Sequence, residues 1–132
     1  MSAADGAVLD ASAVLAVLRA EPGQDAVVAA MASGETLICA VNYSEVIGRL
    51  VARGTPEREA VGAVDELGLT VTPFDKPLAE IAGALYSKTA AAGLSLGDRA
   101  CLALSQQTGW PALTTDKAWA GLKFHPKIRL IR

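Results

Sequence analysis

An α/β fold is predicted, a parallel sheet with helices on both faces, and three observations carry it. Short apolar runs rich in β-branched residues recur along the chain, segments with helical apolar spacing lie between them, and glycine and proline mark the changeovers. Strand runs apolar on both faces are what a sheet buried between two helical layers requires. The 132 residues suit one domain, residues 1–132. A chain of this length buries roughly two-thirds of the surface it exposes when unfolded, and it needs no covalent staples.

The first run, Ala7 to Leu9, predicts a strand ending at Asp10, with Asp10 and Ser12 as caps for a helix from near Ala13. Ala26 to Ala32, after Pro22-Gly23, is helical by its alanine content. The second strand run is Thr36 to Ala40. After it, Asn42-Tyr43-Ser44-Glu45 has the spacing of a capping box, Asn42 as N-cap and Glu45 three residues on, opening a helix through Val46, Leu50 and Val51. Leu69 to Phe74 is the third strand run, and Ala79 to Ala92 is again alanine-rich helix sequence. Ser95-Leu96-Gly97-Asp98 repeats the capping-box spacing at the head of a helix running to Thr108. Gly97 is unfavourable in a first turn, so a ligand or neighbouring backbone is expected close to it. Ala112 to Thr115, the fourth strand run, ends at Asp116, a natural N-cap for a short turn through Trp119; Ile128 to Ile131 is the fifth.

Charge and cysteine content narrow the function. Twelve Lys plus Arg against 14 Asp plus Glu give a net charge of −2, which excludes nucleic-acid binding through a bulk basic surface. The two cysteines, Cys39 and Cys101, lie far apart in apolar runs and fit reduced core residues of a cytoplasmic protein. No basic segment precedes an apolar run at the N-terminus, and Asp10 interrupts the stretch Ala7 to Leu18, so neither a signal peptide nor a membrane span is expected.

Taken singly, Asp10, Glu45, Asp98 and Asp116 are each explained as helix caps. Jointly, all four fall where a strand's carboxyl end or a helix's amino end is expected. In a parallel α/β sheet those ends share one edge, the crevice where such folds bind ligands. Four like charges there repel unless cations lie between them, although helix N-termini offset part of that cost. An all-oxygen donor set suits Mg²⁺ or Mn²⁺, with substrate phosphate completing the shell. Bound metal would then contact phosphate in place of a basic surface, and would activate water and stabilise the leaving oxygen in phosphodiester hydrolysis.

At these residues the sequence resembles the PIN-domain nucleases, and among them the VapC-type toxins of prokaryotic toxin–antitoxin pairs. The resemblance rests on Val8-Leu9-Asp10-Ala11-Ser12, Asn42-Tyr43-Ser44-Glu45-Val46, Leu96-Gly97-Asp98-Arg99-Ala100 and Leu113-Thr114-Thr115-Asp116-Lys117-Ala118-Trp119, in order across nearly the whole chain. It implies a three-layer α/β/α sandwich with about five parallel strands, a Mg²⁺ or Mn²⁺ site of one or two ions, and endoribonuclease activity on single-stranded or structured RNA. Asp10, Glu45, Asp98 and Asp116 would form an acidic quartet, with Asp10 and Asp98 as direct ligands. Thr114 would orient water or metal, and Ser12 would either hold Asp10 or act only as an N-cap. A homodimer and a small cognate antitoxin of the VapB kind, blocking the acidic groove, are implied as partners; no membrane is.

Arg49, Arg99 and Lys117 are candidate phosphate contacts, with Arg49 also within reach of Glu45 as an i,i+4 pair and Arg53 one turn on. For Arg99 and Lys117 solvated surface charge is the simpler reading. His125 has no Ser or Cys partner nearby and is assigned to a loop. Trp110 and Trp119 could stack on bases, but core or dimer packing fits them better. Two other classes remain open: a phospho-acceptor switch, which also places aspartates at strand ends, and a non-catalytic binding module whose acids are only caps.

Overall fold

The computed structural model describes residues 6–124 and 126–132. Strand β1 (Gly6–Leu9) is buried along its whole length and sits at the centre of a five-stranded sheet. β2 (Glu35–Cys39) flanks it on one side with Val8 opposite Leu37, and β4 (Ala112–Thr114) on the other with Val8 opposite Ala112. β3 (Thr70–Thr72) and β5 (Ile128–Leu130) form the edges, giving the order β3-β2-β1-β4-β5 with every pair parallel.

Alternation along the strands divides the core in two. Ala7, Leu9, Ile38 and Leu113 point to one face. There they pack on α1 (Ala11–Leu18), α2 (Gln24–Ser33), α3 (Ala40–Ala52) and α4 (Glu57–Asp65), through Val14, Val27, Val46 and Val64. Val8, Leu37, Cys39 and Ala112 point to the other face. They meet α5 (Lys76–Ala84) and α7 (Leu96–Thr108) through Leu78, Ala82, Leu102 and Leu104, with the short α6 (Tyr86–Thr89) between. The protein is therefore a three-layer α/β/α sandwich. The chain winds outward from β1 to β3, then returns to place β4 on the other side of β1. That reversal opens a crevice at the carboxyl ends of β1 and β4.

Several boundaries differ from expectation, each for a local reason. Asn42 is not an N-cap: the chain passes from β2 straight into α3, Cys39 is the N-cap and contributes no side-chain bond, and Asn42 lies inside the first turn. α1 begins at Ala11, with Asp10 rather than Ser12 as its N-cap. The Ala79 to Ala92 stretch is broken into α5, α6 and a 3₁₀ turn at Ala90–Ala92. Thr89 there bonds back to the Leu85 carbonyl at 2.8 Å, and Gly93 turns the chain with φ 73°. The third and fifth runs are sheet edges, so Val71 and Leu130 are exposed rather than apolar on two buried faces. No helix among the described residues is long and apolar enough to cross a membrane.

Candidate active site

The crevice holds a cavity of about 170 Å³ lined by Asp10, Ala11, Ser12, Asn42, Glu45, Arg49, Asp98 and Asp116. Four carboxylates from separate segments of the chain thus share one wall system, with Arg49 as the cation among the lining residues. A larger, more open cavity of about 500 Å³ lies over α5 and α6, lined by Pro77, Ile81 and Leu85 among others. Glu80 is the one carboxylate in its lining, beside Lys88 and Gln106.

Asp10 leaves β1 at its carboxyl end and caps α1, and only 4% of its surface is exposed. Its Oδ1 accepts from the Ser12 hydroxyl at 2.6 Å and from the Ala13 amide at 2.8 Å; its Oδ2 accepts from the Thr114 hydroxyl. Burial raises its pKa from the ordinary 3.8 to about 6, with the three hydrogen bonds opposing that rise and the negative charge of Asp98 adding to it. Thr114 in turn accepts the Asp116 amide at 3.0 Å, and Ser12 accepts the Thr115 amide at 2.9 Å. The two hydroxyls therefore tie the end of β4 to the end of β1.

Asp98 stands at the third position of α7 in a complete capping box. The Ser95 amide donates to Asp98 Oδ2 at 2.9 Å, and the Asp98 amide donates to Ser95 Oγ at 3.2 Å. Asp116 is exposed at the cavity mouth and accepts the Ala118 amide at 2.9 Å, capping the 3₁₀ turn Lys117–Trp119. Capping therefore accounts for three of the four acids, and it fails for Glu45. Glu45 is inside α3, where its Oε1 accepts from Asn42 Nδ2 at 3.0 Å and its carboxylate packs against Gly97. The close approach expected at Gly97 is thus made by a side chain, neither a ligand nor backbone.

The ion pairs among the described residues are Lys76–Glu80 and Glu21–Arg132, so Arg49 does not close on Glu45 although both line the cavity. Arg53 ends α3 outside the cavity. Arg99 turns away from it, bonding the Ala82 carbonyl at 3.3 Å and lying 5.4 Å from the Tyr86 ring centre. Lys117 is exposed and does not line it. Trp119 is fully buried in the α5/α7 core, and half-buried Trp110 packs against the same cluster and fills the space beside Gly6. Cys39 and Cys101 are free buried thiols whose pKa values burial pushes up. His125 lies outside the described residues. Asn42 is the lining residue whose part at the cavity was missed. Its spacing from Glu45 suits a cap as well as an amide–carboxylate bond.

The donor set suits a hard divalent cation: carboxylate oxygens line it, and one of them, Asp10, is held near-buried, with the charge of Asp98 adding to the rise in pKa that burial causes. Among the described residues, no three acidic, Cys or His side chains stand close enough to enclose an ion by themselves. The fit is therefore to an ion carried by one or two carboxylates, with water and substrate phosphate filling the rest of the shell, as Mg²⁺ prefers.

A family model described as the PIN domain matches residues 7–124. Among solved structures, a toxin–antitoxin complex from Klebsiella pneumoniae is similar, with TM-score 0.71 and 21% identity over 96% of this chain and 98% of that one. So is VapC20 of Mycobacterium tuberculosis, a sarcin–ricin-loop-cleaving toxin, with TM-score 0.71 and 18% identity over 89% of this chain and 95% of that one. VapBC2 of Rickettsia felis, bound to a DNA fragment from its promoter, matches with TM-score 0.70 and 11% identity over 89% and 93% of the two chains. Among curated proteins, none matches by sequence. At these identities the structural likenesses speak to the fold.

Proposed function

The chain belongs to the PIN-domain family, and on that premise we propose that it is a divalent-metal-dependent endoribonuclease of the VapC type, acting in the cytoplasm and neutralised by a small antitoxin. The observation that carries this is the convergence of Asp10, Glu45, Asp98 and Asp116 on one cavity at the sheet's reversal point. Glu45 weighs most, because no capping role explains it.

When bound, Mg²⁺ or Mn²⁺, as one or two ions, supplies activation of water and neutralises charge developing at phosphorus. The chain's own residues prepare for that. Asp10 and Asp98 are the carboxylates assigned to direct contact with the metal, with Glu45 and Asp116 completing the acidic wall. Ser12 and Thr114 hold Asp10 in one rotamer, and their hydrogen bonds favour its ionised form against the cost of burial. Arg49, exposed beside the quartet, is placed to take a phosphate oxygen. Arg99 and Lys117 remain weaker candidates for the path of the RNA outside the cavity.

The similarity to a toxin that cleaves the sarcin–ricin loop supports a structured or single-stranded RNA substrate. The similarity to toxin–antitoxin complexes supports an antitoxin partner occupying the acidic groove. A homodimer is part of the same proposal.

Induced expression, with and without the product of the neighbouring gene, tests activity and partner together. The expected result is growth arrest that the neighbour relieves and that Asp98→Asn abolishes. Arrest that persists with Asp98→Asn would contradict the assignment.

A further inference from the structure

Asn42 is 1% exposed and lies in the first turn of α3. Its Nδ2 donates to Glu45 Oε1 at 3.0 Å and to the Gly97 carbonyl at 2.9 Å, 55 residues along the chain. Both partners are acceptors only, which fixes the amide's orientation; turned over, its oxygen would face a carboxylate and a carbonyl. Asn42 Oδ1 is then left buried without a donor. Asn42 thus uses its amide nitrogen to hold a carboxylate on α3 and a carbonyl on α7 together.

Gly97 completes the arrangement from α7. Its backbone is ordinary helix, open to any residue by conformation. A Cβ there would stand 2.5 Å from Glu45 Oε1 and 2.6 Å from Oε2, nearer than atoms can approach. The missing side chain is the space the Glu45 carboxylate occupies.

We propose that Asn42 and Gly97 form a latch that positions the Glu45 carboxylate and ties α3 to the start of α7. Gly97 adjoins Asp98, so the latch also fixes how far Glu45 stands from Asp98 across the cavity. Asn42 is a positioning residue: it acts on the metal and the substrate through Glu45. Partners that orient a ligating group in this way are typically worth about 10- to 100-fold in metal affinity or activity. The inference rests on the metal-nuclease proposal above.

The test is calorimetric titration of Mn²⁺ into metal-free wild-type protein, Asn42→Ala, Asn42→Ser and Gly97→Ala, with RNA cleavage and thermal melts measured alongside. Asn42→Ala and Gly97→Ala are expected to bind Mn²⁺ about 10- to 100-fold more weakly, with kcat lowered and KM for RNA unchanged. Asn42→Ser, which keeps one donor, recovers part of the loss. The double variant Asn42→Ala/Gly97→Ala loses little beyond either single change, because both disturb the same carboxylate. Wild-type Mn²⁺ affinity and kcat in Asn42→Ala, with only the melting temperature lowered, would overturn the latch. Should Asn42→Ala fail to fold, wild-type affinity in Gly97→Ala overturns it equally. A wild-type protein that takes up no Mn²⁺ overturns both the latch and the nuclease proposal. One that binds Mn²⁺ with the expected losses in the variants but leaves RNA intact overturns the nuclease alone.

Discussion

Asp10 is held as a near-buried carboxyl with three hydrogen bonds and a pKa near 6, against 3.8 in an unstructured chain. A raised acid in the folded state binds its proton more tightly than in the unfolded state. Its contribution to stability is therefore full below about pH 4 and lost as pH rises through 6. The gap corresponds to a loss on the order of 3 kcal/mol across that window. Asn in its place can accept from Ser12 and Ala13 through its oxygen and meet Thr114 with its amide. Asp10→Asn is thus expected to melt higher than wild type at pH 7 without metal, and the difference should vanish near pH 4. Denaturant unfolding at the two pH values checks this; a variant less stable at pH 7 than wild type would contradict it.

The same residue shows what a sequence can disclose at this scale. A carboxylate directly after an apolar run has to leave the sheet at its end, so the placing of Asp10 and Asp116 was legible. Asn42 was not, because an Asn three residues before a Glu suits a cap as well as a bond within a turn. Gly97, more than 50 residues away, decides between them. Even there the sequence signal gave only a close approach, not the side chain that makes it.

Among the elements, α7 was the most readable and α3 the least. Ser95 and Asp98 make the full reciprocal cap that their spacing suggests. Ser95→Ala removes the hydroxyl that accepts the Asp98 amide, and a loss of about 1 kcal/mol is expected from chemical denaturation. No change on that substitution would mean that the cap contributes nothing to α7. α3 begins two residues before Asn42 because β2 runs into it without a loop, and Cys39 caps it with backbone alone. No side chain marks such a start. The alanine-rich stretch from Ala79 was likewise misleading, since alanine favours helix wherever it stands and marks no end. The back-bonded Thr89 and the left-handed Gly93 end the helical path instead.

Over the whole molecule, the strand order decides what the acids can do. Had β4 been added beyond β3, two strands would separate Asp116 from Asp10; because the chain reverses at β1, the two end side by side. That order follows from long-range packing and is invisible to local patterns, although the alternation of strands and helices made the layered architecture legible. The charge of −2 gains a meaning at this scale too. It averages over a surface on which four acids converge on one cavity, and a divalent cation bound there would offset that negative charge where phosphate approaches.

The most direct test is RNA cleavage by the purified protein with Mn²⁺ or with chelator, comparing wild type, Asp10→Asn and Asp98→Asn. Cleavage by wild type with metal is expected, with none in chelator and a loss of at least about 100-fold in either variant while folding is retained, as for removal of a group that acts at the reacting phosphate. Cleavage that survives both chelation and either substitution would contradict a metal-dependent site built on these carboxylates.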